Sequence, residues 1–229
     1  MIFASCLATL EQLFDPRFRR VFFKGVGLTA ILMLAFYTSV FFSTGFALPE
    51  TIVVPLFGEV GFPKFLLSLV TTSLMIVLST FAMIPITVVI IGFFLDDIAD
   101  AVEARYYSHL QPAPHISFSD TILEILRFIF VLCVANLIAF ILYFIPPFGL
   151  FVFYGLNGFL FGREYFRMIA VRRLGRPEAS QMFRRHFLTI WAAGALMVIP
   201  LTIPILNLVI PILGAATFTH LYHRIAKTA

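Results

Sequence analysis

The chain has 229 residues, 61% of them apolar and only 12% charged, with a net charge of +4. A soluble globular domain averages about 45–50% apolar and about 25% charged, so composition excludes an ordinary water-soluble domain and points to an integral membrane protein. The two cysteines, Cys6 and Cys133, lie far apart, which excludes a disulfide framework and a cysteine metal site.

Residues 1–16 carry no Lys or Arg, so the charged start of a cleavable signal peptide is missing. Phe3, Leu7, Leu10 and Phe14 recur at helical spacing, with Glu11 and Gln12 elsewhere. This predicts an amphipathic helix lying in the membrane interface.

Asp15-Pro16 is a helix-start signal, the cap followed by the first helical position. Arg17, Arg19 and Arg20 then fall in the first turns of an apolar helix predicted over 17–49. Cations there oppose the helix dipole. Two readings are open. The arginines and free amides hold an oxyanion, or they anchor the helix on lipid phosphates.

A second charge-free stretch, Phe65–Leu95, predicts another long helix over 65–110. At its end Asp96, Asp100 and Glu103 share one helical face, with Asp97 and Arg105 close by. Such carboxylates suit either a cation or proton path or an ion-pair network with the arginines that follow Arg163.

The stretches Phe128–Gly162 and Phe187–Thr219 are also charge-free, but both are broken. Pro146-Pro147 divides the first, and Pro200, Pro204 and Pro211 punctuate the second. Each reads as two short helices, giving helical hairpins over 120–162 and 187–222. Small residues follow each break, and an aromatic-basic cluster ends each stretch, which reads as a weak internal duplication. Asn136, Asn157 and Asn207 are candidates for interhelical hydrogen bonds or pore lining.

Seven arginines lie between Arg163 and His186, and four basic residues precede the first span. The positive-inside rule puts both groups in the cytoplasm, with loop Glu50–Lys64 outside. Hairpins satisfy that rule, and both termini then face the cytoplasm. Arg163 and Arg167, one helical turn apart, read as a cytoplasmic anchor or as an electropositive funnel for anions. The five histidines show no metal spacing, and no nucleotide-binding or nucleophile motif occurs. Neither an enzyme, a cofactor nor a nucleic-acid partner is expected.

Four segments resemble the CysZ sulfate-permease family, which shares a domain with the etoposide-induced protein family. Pro16-Arg-Phe-Arg-Arg20 is similar to that family's Pro-Gly-(Leu/Ile)-Arg-Arg. Asp100-Ala-Val-Glu-Ala-Arg105 is similar to its Glu-x-Leu-Glu-Ala-Arg. Leu142-Tyr-Phe-Ile-Pro146 matches its Leu-Tyr-Phe-Ile-Pro, and Ile203-Pro-Ile-Leu-Asn-Leu208 its Ile-Pro-Leu-Leu-Asn-Leu. The resemblance runs from about Phe14 to Arg224.

It implies an all-α membrane fold of two long transmembrane helices plus two Pro-broken, partly penetrating hairpins. It also implies a homo-oligomer in the bacterial inner membrane that admits sulfate for cysteine biosynthesis. Carried over, the sulfate ligands are the side chains of Arg19 and Arg20, with the amides of Arg17 and Phe18 nearby. Arg17 replaces the motif glycine, which either crowds the site or adds a third guanidinium. Asp100, Glu103, Arg105, Arg163 and Arg167 are expected in a charged inner network. The competing functions are a non-transporting scaffold or regulator, and a cation or proton path through Asp96, Asp100 and Glu103.

Overall fold

The computed structural model describes residues 1–47, 51–54, 58–61, 69, 71–73, 93–111, 113, 118–143, 149–203, 206 and 209–227. These residues are predominantly helical. Chain contacts divide them into two compact units, Met1–Gly27 with Val88–Ala229, and Leu28–Thr87.

In the first unit, α1 runs Ile2–Gln12 and packs against α8, Ile210–Ala226. Its apolar stripe faces outward: Phe3, Leu7 and Leu10 are exposed, as is Phe14 just beyond its end. The polar face, Ser5, Thr9 and Gln12, is buried. The hydroxyls of Ser5 and Thr9 donate to the carbonyls four residues back, at 3.1 and 3.0 Å, so their burial leaves no orphan donor. Thr217 of α8 then donates to the Thr9 hydroxyl at 3.1 Å.

Helix α2 spans Pro16–Ala47 and continues from the first unit into the second. Its stretch Pro16–Val40 is, among the described residues, the one helix long and apolar enough to cross a membrane. At 1.5 Å per residue those 25 residues reach about 37 Å, more than a hydrocarbon core of about 30 Å. Phe23, Leu28, Ile31 and Leu34 lie exposed along it.

The expected second long helix, 65–110, lies largely outside the described residues. Residues 93–106 are helical and form α3 here. In the second unit, Thr51–Val54 (β1) pairs antiparallel with Gly58–Gly61 (β2), with Thr51 opposite Gly61 and Val54 opposite Gly58. The sequence reading had only a loop here. The β-branched run Thr51-Ile-Val-Val54 was the available strand signal.

Helices α4 (Phe118–Tyr143) and α5 (Gly149–Leu174) pack on each other. The Pro146-Pro147 break between them lies outside the described residues. Helix α5 continues 12 residues beyond Gly162, where the charge-free stretch ends. Nothing in 163–174 breaks a helix. The stop is Gly175, whose φ of +79° suits glycine and whose amide closes the last turn on Val171 O at 3.0 Å. The continuation carries Arg163, Arg167, Arg172 and Arg173 on one rigid rod.

Helix α6 follows (Arg176–Arg185), then α7 (Phe187–Val198), which Pro200 converts into a 3₁₀ turn over Ile199–Thr202. Pro204 and Asn207 lie outside the described residues. Both α7 and α8 pack on α5. The α5–α7 crossing is the tightest described. A Cβ added at Gly194 would stand 2.0 Å from Gly158 O and 2.6 Å from Gly162 N. Bare glycines on both helices permit that approach. Trp191 Nε1 donates to Gly155 O at 3.0 Å, one turn along the same seam. Asn157 donates within its own helix, to Phe153 O at 2.8 Å.

The core of the first unit joins Phe18, Ile98, Val102, Phe166, Ile169 and Phe218, all fully buried.

Candidate anion site and charged network

Asp15 closes the start of α2. Its Oδ1 accepts the Arg17 amide at 2.8 Å, and its Oδ2 lies 3.2 Å from Arg105 Nη1 at the end of α3. Burial pushes this carboxyl up. The amides of Arg17 and Phe18 and the Arg105 guanidinium outweigh burial and hold it below its ordinary value. A carboxylate at a helix N-terminus is favoured by the dipole.

The cluster after Asp15 divides by helical phase. The Phe18 ring is fully buried in the core, whereas Arg17, Arg19 and Arg20 are exposed. Arg19 lies 6.0 Å from the centre of the Phe23 ring. Among the described residues, no carboxylate pairs with Arg17, Arg19 or Arg20. The amide of Arg17, assigned to sulfate by resemblance, is taken by Asp15.

The second constellation centres on Arg172, whose side chain is fully buried. Its Nε lies 3.1 Å from Asp96 Oδ1, its Nη1 lies 3.3 Å from Glu103 Oε2, and its Nη2 bonds Asp100. Arg173 adds a fork onto Glu103, with Nε 3.0 Å from Oε1 and Nη2 on Oε2, and its Nη1 donates to Gln111 O at 2.7 Å. His223 Nε2 lies 2.9 Å from Glu103 Oε1. A carboxylate only accepts, so Nε2 carries the proton. Burial pushes the Glu103 carboxyl up, but His223, Arg173 and Arg172 overcome it and bring it down to about 2.

A chain of polar contacts continues from there. The Tyr107 ring stacks on His223 at 4.1 Å, and its hydroxyl lies 3.3 Å from His220 Nδ1. His220 Nε2 reaches Gln12 Oε1 at 3.2 Å, and Gln12 Nε2 donates to Ala101 O at 3.1 Å. Gln12 uses its amide nitrogen on Ala101, so its oxygen accepts from His220, and His220 in turn accepts from Tyr107.

The nominated network residues therefore separate. Asp100 and Glu103 meet Arg172 and Arg173. Arg105 meets Asp15. Arg163 pairs with its neighbour Glu164, and together with Arg167 it lines a groove against α4. Sequence reasoning missed His223, Tyr107, Gln12 and His220. The spacing of His220 and His223, three apart on one helical face, was the available signal, and it was weighed only as a metal pattern. The carboxylates proposed for a cation path are matched instead by two guanidinia and an imidazole.

Fold and site together define a helical protein with one membrane-length apolar helix opened by exposed arginines, beside a self-neutralised buried charge cluster. The chain belongs to the family described as Sulfate transporter CysZ/Etoposide-induced protein 2.4, whose model matches residues 5–211. No curated protein matches it at a significant level.

Proposed function

We infer that this protein passes sulfate or a related oxyanion through a membrane, with the anion received at Arg19 and Arg20. One observation carries the reading: the guanidinia at the start of α2 are exposed and lack carboxylate partners among the described residues, in a chain of this family. A dianion entering lipid loses its hydration at prohibitive cost. Guanidinium forks replace that hydration with directed donors. Arg17 stands beside them as a third cation. Asp15 holds the Arg17 amide, so the side chains rather than the helix amides are the anion's ligands.

The bilayer placement rests on the 12% charge and on the apolar, exposed flank of α2. Both termini lie in the cytoplasm by the positive-inside rule, and the protein works as a homo-oligomer of a bacterial inner membrane, feeding sulfate to cysteine biosynthesis.

Calorimetric titration of sulfate into the purified protein tests the site. The wild type binds sulfate, and Arg19→Ala/Arg20→Ala weakens binding at least tenfold, with chloride a poor competitor. Equal affinity in the double variant removes Arg19 and Arg20 as the site.

A further inference from the structure

A second cationic site is built between α4 and α5. A groove of about 410 Å³ is lined by Leu126, Arg127, Phe130 and Val131 of α4 and by Arg163 and Arg167 of α5. Arg127 stands 16 residues before the end of α4, and Arg163 stands 14 residues after the start of α5. At 1.5 Å per residue, these are about 24 and about 21 Å from the connection, so the arginines come level across the antiparallel pair.

Their level is informative. Arg127 immediately precedes the charge-free stretch Phe128–Gly162, and Arg163 immediately follows it. The groove thus sits where apolar chain gives way to charge. Its walls show the same change. Leu126 and Phe130 are 58% and 69% exposed, beside three guanidinia. A small inorganic anion has no use for the apolar wall, and a neutral apolar molecule has no use for the arginines. A phosphate joined to an acyl chain uses both. Arg163 also pairs with Glu164, which orients its guanidinium while leaving other N–H groups of the fork for a second acceptor.

We propose that this groove binds an anionic phospholipid, its phosphate on Arg127, Arg163 and Arg167 and its acyl chain along Leu126 and Phe130. The site rests on the membrane placement inferred above. It is independent of which ion the protein passes.

The test is to add phosphatidylglycerol or phosphatidylcholine to the detergent-solubilised full chain and count retained lipids by native mass spectrometry, with and without inorganic phosphate. Wild type retains phosphatidylglycerol in preference to phosphatidylcholine, and Arg127→Gln/Arg167→Gln retains at least fivefold less. Arg163→Lys keeps the charge but loses the planar fork, and gives an intermediate loss should the double variant fail to fold. Retention unchanged in these variants, or equal retention of the two lipids, overturns the proposal. Displacement of the lipid by millimolar inorganic phosphate identifies a free-phosphate site and overturns the lipid assignment. Sulfate affinity at Arg19 and Arg20 is a separate readout, so failure here leaves the ion reading standing.

Discussion

Arg172 Nη1 and Glu103 Oε2 stand 3.3 Å apart, joining α5 to α3 across 69 positions of sequence. The contact holds the end of the apolar region together. Arg172 is buried, and its guanidinium is shared with Asp96 and Asp100. Loss of the cation leaves three carboxylates facing one another with only Arg173 and His223 nearby.

Removing one partner from a buried ion pair costs about 3–5 kcal/mol. Arg172→Leu is therefore expected to lower the thermal midpoint markedly, read by loss of monodispersity on heating. Arg105→Leu, whose side chain is 45% exposed, is expected to lower it far less. Equal shifts in the two variants would contradict a central role for Arg172.

Acid should act through Glu103. Its folded-state value, about 2, lies below the ordinary 4.5. The stabilisation is thus fully present above 4.5 and is lost as pH falls from there through about 2. The wild-type midpoint is expected to fall across that window. Glu103→Gln, already less stable at neutral pH, is expected to fall less steeply. Parallel curves would show that the carboxylate does not govern acid sensitivity.

The α5–α7 seam offers a paired test. At Gly194 an added Cβ meets backbone at 2.0 Å, whereas at Gly155 it meets nothing within 4 Å. Gly194→Ala is expected to cost about 1–3 kcal/mol or more, because backbone must part from backbone. Gly155→Ala is expected to be neutral or to stabilise by up to about 1 kcal/mol through better helix propensity. Thermal midpoints of the two variants check both signs.

Asp15 competes with any anion for the start of α2. Asp15→Asn removes a negative charge there and keeps a capping side chain. Sulfate affinity is expected to rise roughly fivefold, about 1 kcal/mol. Unchanged or weaker binding, measured by calorimetry, would place the anion away from this helix start.

Much of this architecture was legible from a few residue types. Asp15-Pro16 marked the start of α2, because a cap and a fixed φ are local signals. The α5 boundary was misread because the end of the charge-free stretch was taken for the end of the helix. Arginine is a good helix former, and only Gly175 stops the rod. The apolar stripe of α1 was visible, but not the burial of its polar face against α8. That burial depends on Thr217 and His220, about 208 residues away, and periodicity carries no information on partners so distant. For the same reason the partners of Asp100 and Glu103 were named only as the arginines after Arg163. Which arginines reach them depends on the helical phase of α5.

The measurement that bears most directly on function is radiolabelled sulfate uptake into sealed proteoliposomes, wild type beside Arg19→Ala/Arg20→Ala. The expected result is uptake by wild type and its loss in the double variant, with both proteins folded and inserted to the same extent. Equal uptake by the two, or none by a folded and inserted wild type, would contradict passage of sulfate by way of Arg19 and Arg20.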